Sequence, residues 1–227
     1  MYVYGKNVAK EILSKKQKIN KALLYNNFSD NEIISALKKQ NVKIKCLTKD
    51  ELNKIETGNH QGIILEVDDY KYATLDELTD SVIVMLDHLE DPHNFGAIIR
   101  TCEAAGIKNI IIPKDRSVKV TSSVIKVSVG AIENVKIAVV NNLVNTIKEL
   151  KQKGYWIIGT DMKGTDYKKI DYSGKIVLVI GNEGKGLSRL TEENCDFIAS
   201  IPMRGKVNSL NASVAAALII YEAIRNR

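Results

Sequence analysis

The 227 residues are 44% hydrophobic and 26% charged, a globular balance with enough apolar side chains for one core or for a small domain joined to a medium one. No apolar run approaches a bilayer span, and the opening MYVYGKNVAKEIL lacks the apolar stretch of a secretory leader, so the sequence predicts a cytoplasmic protein. Cys46, Cys102 and Cys195 are scattered, and His88 and His93 are five apart, off the helical spacing of paired ligands; this excludes a disulfide framework and leaves no metal expected.

The net charge of +6 is unevenly placed. Residues 1–68 hold twelve lysines against eight acids, whereas residues 69–227 hold 21 basic against 19 acidic side chains. Lysine is a flexible point charge suited to sequence-blind phosphate contact. A solvated surface explains the same excess equally well on charge alone.

In chain order, GKNVAKEILSKK reads as an amphipathic helix with Val8, Ile12 and Leu13 on one face. KINKALLYN is a strand, SDNEIISALKKQ a helix capped by Ser29 or Asp30, and VKIKCL a second strand. TKDELNKIE is a short helix whose Thr48 begins a capping box; GNHQG is a loop and IILEV a third strand. This small α/β unit stops near Asp68, and residues 69–79 read as a linker. From residue 80 onward SVIVMLDH, NIIIP, NVKIAVV, YWIIGT and KIVLVIG are β-branched runs separated by helical segments. Continuous apolar strands of this kind suit a parallel sheet covered on both faces. A last, well-buried helix runs from about Ser209 to Arg227.

Three loops follow strands, and the carboxyl ends of parallel strands are where ligands bind. The first, residues 87–106, carries Asn94, read as the cap of a helix beginning near Phe95, and Arg100 inside that helix. Capping and a surface charge account for both when the loop is taken alone. The second, VLVIGNEGKGLS, sets Glu183 and Lys185 among three glycines. It is neither a Walker A loop nor GxGxxG; a tight turn or close backbone approach to a ligand would both use such glycines. The third, residues 201–222, runs from Pro202 and Gly205 into a helix. Ser209 could cap that helix, which leaves Asn211 unexplained, because Asn inside a helix is unfavourable.

Taken together, Asp91-Pro92-His93-Asn94-Phe95-Gly96 through Arg100, Gly181 through Leu187, and Ile201-Pro202-Met203-Arg204-Gly205 through Ser209-Leu210-Asn211 resemble the three signature motifs of the SpoU, or TrmH-like, family of RNA ribose methyltransferases in the SPOUT class. The likeness covers roughly residues 80–227. Tyr4-Gly5 and His60-Gln61-Gly62-Ile63 are similar to the small RNA-binding domain of bacterial 23S rRNA guanosine 2′-O-methyltransferases, with Asn7 where those relatives often carry histidine. The resemblance implies an α/β protein with a C-terminal trefoil-knotted, parallel-sheet methyltransferase domain (80–227) and a small N-terminal α/β, L30e-like, RNA-binding domain (1–68). It implies a homodimer, S-adenosylmethionine (AdoMet) as cofactor, and structured RNA, foremost rRNA, as partner. By the same resemblance Asn94, Arg100, Glu183, Ser209 and Asn211 take catalytic positions, and Thr160, Gly181, Ile201 and Leu210 bind the cofactor. Arg100 is expected to grip a phosphate and stabilise alkoxide charge rather than act as base, since guanidinium holds its proton tightly. The alternatives are a tRNA ribose methyltransferase and a non-catalytic RNA-binding protein.

Overall fold

A computed structural model describes residues 1–15, 17–225 and 227. Lys16 and Asn226, which fall in the first and last predicted helices, lie outside the described residues. The chain divides into two compact units, one of Met1–Lys71 with Val120–Lys126 and one of Tyr72–Lys119 with Val127–Arg227.

The first unit begins with β1 (Tyr2–Tyr4), α1 (Lys6–Ser14), β2 (Ile19–Tyr25) and α2 (Asn31–Lys39), followed by β3 (Ile44–Leu47), α3 (Lys49–Ile55) and β4 (Ile63–Val67). The sheet order is β1-β4-β2-β3, with β2 parallel to β3 and antiparallel to β4. Period-2 alternation sends neighbouring residues to opposite faces. Leu24, Ile63 and Leu65 join Ile12, Ile33 and Leu37 of α1 and α2, while Leu23 and Ile64 meet Leu52 of α3. Asp30, not Ser29, caps α2 by accepting from the Ile33 amide, and Thr48 with Glu51 forms the expected capping box. Strand β1 escaped the sequence reading. Three residues are too few for a periodic signal, and only pairing with β4 reveals the strand, whose Val3 is fully buried.

Helix α5 (Ser122–Ser128) belongs to the first unit as far as Lys126, and the second unit contains β5 (Val82–Leu86), α4 (Pro92–Ala104), β6 (Asn109–Pro113), β7 (Lys136–Val140) and α6 (Leu143–Gln152). It continues through β8 (Trp156–Asp166), β9 (Ile176–Ile180), α7 (Arg189–Glu193), β10 (Phe197–Ser200) and α8 (Ala212–Ile224). Six strands in the order β10-β8-β9-β5-β6-β7 are all paired in parallel. Every residue of β5, β6 and β9 is buried, as the apolar runs required. Ile147 and Leu150 of α6 pack on Ile83, Met85, Val177 and Val179, while α8 packs on α4 and on β9.

The structure changes four local expectations. Strand β10 was missed because Phe-Ile-Ala-Ser mixes exposed and buried positions. Only a 3-10 turn at Tyr167–Lys169, and no α-helix, joins β8 to β9. Helix α4 starts at Pro92 with Asp91 as its cap, so Asn94 lies inside the first turn. Helix α8 starts at Ala212 and Asn211 caps it, accepting from the Ser213 and Val214 amides. Asn211 is therefore not a misplaced helix residue; its side chain satisfies orphan donors at the helix start.

Candidate cofactor pocket and catalytic loops

Strands β8, β9 and β10 lie side by side and end at the same edge of the sheet. Beyond them opens a pocket of about 290 Å³, at the lower end of the small-molecule range. Its wall is apolar at Ile180, Ala199, Ile201, Leu210 and Ile219 and polar along the loop from Gly181 to Gly186. All four residues expected at the cofactor line it: Thr160, Gly181, Ile201 and Leu210. Thr160 sits inside β8, its hydroxyl donating to the Val179 carbonyl at 3.1 Å. The same strand swells between Gly159 and Thr165, where its pairing with β10 jumps by several residues. Gly164 allows this swelling, since a Cβ there would fall 2.3 Å from the Ile198 carbonyl oxygen.

The glycine loop is a hairpin closed on itself. The amides of Asn182 and Gly186 donate to each other's carbonyls at 2.9 and 3.0 Å. A Cβ on Gly181 would stand 2.4 Å from the Gly186 carbonyl carbon, so the bare Cα is required first by the protein's own backbone.

Of the catalytic candidates, Glu183 and Ser209 line the pocket. Asn94 reaches Glu183 across 89 residues of chain, its amide donating to Oε1 at 2.7 Å. A hydrogen bond to a carboxylate is worth about 1.5–3 kcal/mol when shielded; here it ties helix α4 to the hairpin. Asn211 stands at the cap of α8, beside the pocket-lining Leu210 and Ala212. Arg100 is not brought in. Six residues beyond Asn94 it points from another face of α4 and is exposed. Its neighbours on the helix, Ala97 and Thr101, line a separate groove with Val214, Leu218 and Tyr221 of α8.

Three residues at this site were not singled out from the sequence: Asp87, His88 and Asn182. The side-chain amide of Asn182 donates to the His88 carbonyl at 2.8 Å, and the Asp87 carboxylate accepts from the Ser188 amide at 2.6 Å. The available signal was an acid at the carboxyl end of an all-apolar strand, where a buried charge needs partners. Among the described residues, no group of three His, Cys, Asp or Glu is placed to hold a metal ion. No helix among them is long and apolar enough to cross a membrane.

A parallel sheet that gathers polar loops and an apolar-walled pocket at its strand ends defines an α/β protein built to bind a small molecule there. Residues 81–221 match the model of the SpoU rRNA Methylase family. Residues 2–73 match the model for RNA 2′-O ribose methyltransferase substrate binding. A Bacillus subtilis (strain 168) protein, YacO, named for the TrmH family of tRNA/rRNA methyltransferases, is 43% identical, over 100% of this chain and 96% of its own. The AdoMet-bound rRNA methyltransferase of Sinorhizobium meliloti shares 26% identity at a TM-score of 0.77, over 99% of this chain and 86% of that one. The TrmH/SpoU tRNA modifying enzyme of A. aeolicus shares 35% identity at a TM-score of 0.60, over 66% of this chain and 76% of that one. The chain belongs to the SpoU rRNA Methylase family and is an RNA methyltransferase of the SpoU/TrmH class.

Proposed function

We propose that this protein is a cytoplasmic homodimer that transfers a methyl group from AdoMet to the ribose 2′-hydroxyl of a guanosine in 23S rRNA. The observation that carries the reading is that Thr160, Gly181, Ile201 and Leu210 line one and the same pocket. Its apolar walls suit an adenine ring, and the hairpin offers backbone groups at close range. AdoMet, when bound, supplies a methyl already activated on a sulfonium. The remaining work belongs to the chain. The hairpin and the Ile201–Leu210 segment hold and orient the cofactor and exclude water around it. Glu183, fixed by Asn94, presents a carboxylate at the pocket rim. Arg100 meets the RNA, holding a phosphate beside the reacting hydroxyl. The trefoil knot that the family resemblance implies is part of the same reading, and segments 160–162, 180–186 and 208–210 converge on one cavity.

The homodimer is supported by α8. Val214, Leu218 and Tyr221 expose an apolar stripe at i, i+4 and i+7, and the groove they share with Ala97 and Thr101 flanks Arg100. Pairing two chains across this groove would bury the stripe and set Arg100 of each beside the interface.

An rRNA substrate is favoured by the first unit. The S. meliloti rRNA methyltransferase aligns with nearly the whole chain, whereas the A. aeolicus tRNA modifying enzyme aligns with two thirds of it. A tRNA substrate is the second reading, supported by the 35% identity to that tRNA enzyme. The experiment is ribose-methylation mapping of rRNA and tRNA from cells with and without the gene, alongside AdoMet calorimetry. Loss of one 2′-O-methylguanosine in 23S rRNA is expected; loss in tRNA selects the second reading, and no AdoMet binding removes both.

The first unit also marks its own RNA face. Residues 38–49 contain Lys38, Lys39, Lys43, Lys45 and Lys49, all exposed, and no acid. Cys46, exposed within this run, is a built-in reporter. Burial pushes the Cys195 thiol up to about 12 and the Cys102 thiol higher still, so alkylation near pH ~8 reads Cys46. Saturating rRNA is expected to protect Cys46, and raising salt from about 50 to about 200 mM to weaken binding by roughly a thousandfold if about six phosphates are contacted. Unprotected Cys46 on fully bound RNA would move the footprint elsewhere.

A further inference from the structure

We propose that Asp87 is a positioning residue that clamps the glycine hairpin to the end of β5 and thereby sets the affinity for AdoMet; the proposal rests on the cofactor reading above. Asp87 is 1% exposed and follows the last residue of β5. One carboxylate oxygen accepts from the Ser188 amide at 2.6 Å, and the other meets the ring Nδ1 of His88. The backbone amide of Asp87 donates to the Ile180 carbonyl at 2.8 Å, immediately before Gly181. His88 then adopts φ +56°, a left-handed conformation unusual for a residue with a side chain. Its carbonyl accepts from the Asn182 side chain at 2.8 Å.

Two consecutive residues thus hold the hairpin at three points: its entry at Ile180, its second residue Asn182 and its exit at Ser188. Asn182 extends the hold inward, since its side-chain oxygen accepts from the Gly184 amide at 3.0 Å. A buried carboxylate persists only with hydrogen-bond partners, and the partners here belong to the hairpin and to His88. Residues 181–186 line the pocket, whereas Asp87 and His88 do not. Asp87 therefore acts on the cofactor through the hairpin, by keeping its backbone in the shape that AdoMet meets and removing the need to order it on binding.

The test compares Asp87→Ala and Asp87→Asn in the full chain. AdoMet affinity is measured by calorimetry, affinity for an rRNA fragment by filter binding, and folding by thermal unfolding. Asp87→Ala leaves the Ser188 amide without its acceptor and is expected to weaken AdoMet by about tenfold or more, the scale of a hydrogen bond to a charged acceptor, with RNA affinity unchanged. Asp87→Asn keeps an oxygen for Ser188 and an amide for the His88 ring nitrogen, and is expected to stay within about threefold of the parent. A folded Asp87→Ala protein with parental AdoMet affinity overturns the clamp, as does an Asp87→Asn protein of parental melting temperature that binds AdoMet as poorly as a hairpin cut loose. Should Asp87→Ala not fold, the Asn arm and amide exchange in the parent decide. Exchange across 181–188 as fast as in the exposed 204–208 segment would overturn the clamp. A parent that binds no AdoMet sinks the cofactor reading instead, and leaves the exchange measurement to judge the clamp.

Discussion

Arg100→Ala is expected to nearly eliminate methyl transfer while leaving AdoMet binding as it is. The separation follows from position. Arg100 is exposed on α4 and absent from the cofactor pocket, whereas Asn94, six residues earlier on the same helix, is buried against Glu183. Single-turnover transfer should fall by roughly a thousandfold, the scale for losing a positioned group that stabilises developing negative charge. Calorimetry with AdoMet should give the parental affinity; weakened binding would place Arg100 on the cofactor side. Arg100→Lys then separates two roles. Lysine keeps the charge and loses the planar fork. As a phosphate clamp it should give weak activity that follows the parental pH profile and falls only as the ammonium deprotonates, near pH ~10. Were the residue the base, the neutral amine would be the working form and the rate would climb with pH through that range. The first profile is expected, and a steep alkaline rise would restore the base.

Gly181→Val is expected to abolish AdoMet binding in a protein that still folds. The family resemblance implies that this glycine meets the cofactor, and the structure adds a steric reason for a glycine there. Even a Cβ would lie 2.4 Å from the Gly186 carbonyl carbon and 2.7 Å from the Leu187 amide nitrogen, both backbone atoms. Backbone cannot rotate aside, so the hairpin must open. Overpacking of this kind costs about 1–3 kcal/mol, which a pocket rim tolerates while the all-buried strands β5, β6 and β9 stay intact. Gly181→Ala, with the same clash and less bulk, should already weaken AdoMet by about tenfold. Circular dichroism and calorimetry on both variants check the pair. A folded Gly181→Val protein that binds AdoMet normally would detach the hairpin from the cofactor.

The hydrophobic periodicity of this chain determined most of its elements. Five of the six strands of the second unit contain β-branched runs, though β8 extends well past its own, and Thr48 and Asp30 announce their helices by the chemistry of a cap. The motif loops were legible through their family resemblance, whose motifs include Asn94, Gly181, Glu183 and Leu210, and not through the local chemistry of any one loop. Local signals failed where the determining partner was distant. Tyr2–Tyr4 is a strand only because β4 lies beside it, and Phe197–Ser200 only because β8 does. Asn94 carried the local mark of a cap, yet Asp91 takes that place and frees its amide for Glu183. Asp87 stands near the end of the run SVIVMLDH, and Ser188, 101 residues on, supplies a partner for its carboxylate only in the fold. Periodicity and capping report interactions within one or two turns of chain. Which loops meet, and which buried polar group answers which, depends on contacts that close only when the strands align, and those contacts decided where the site is.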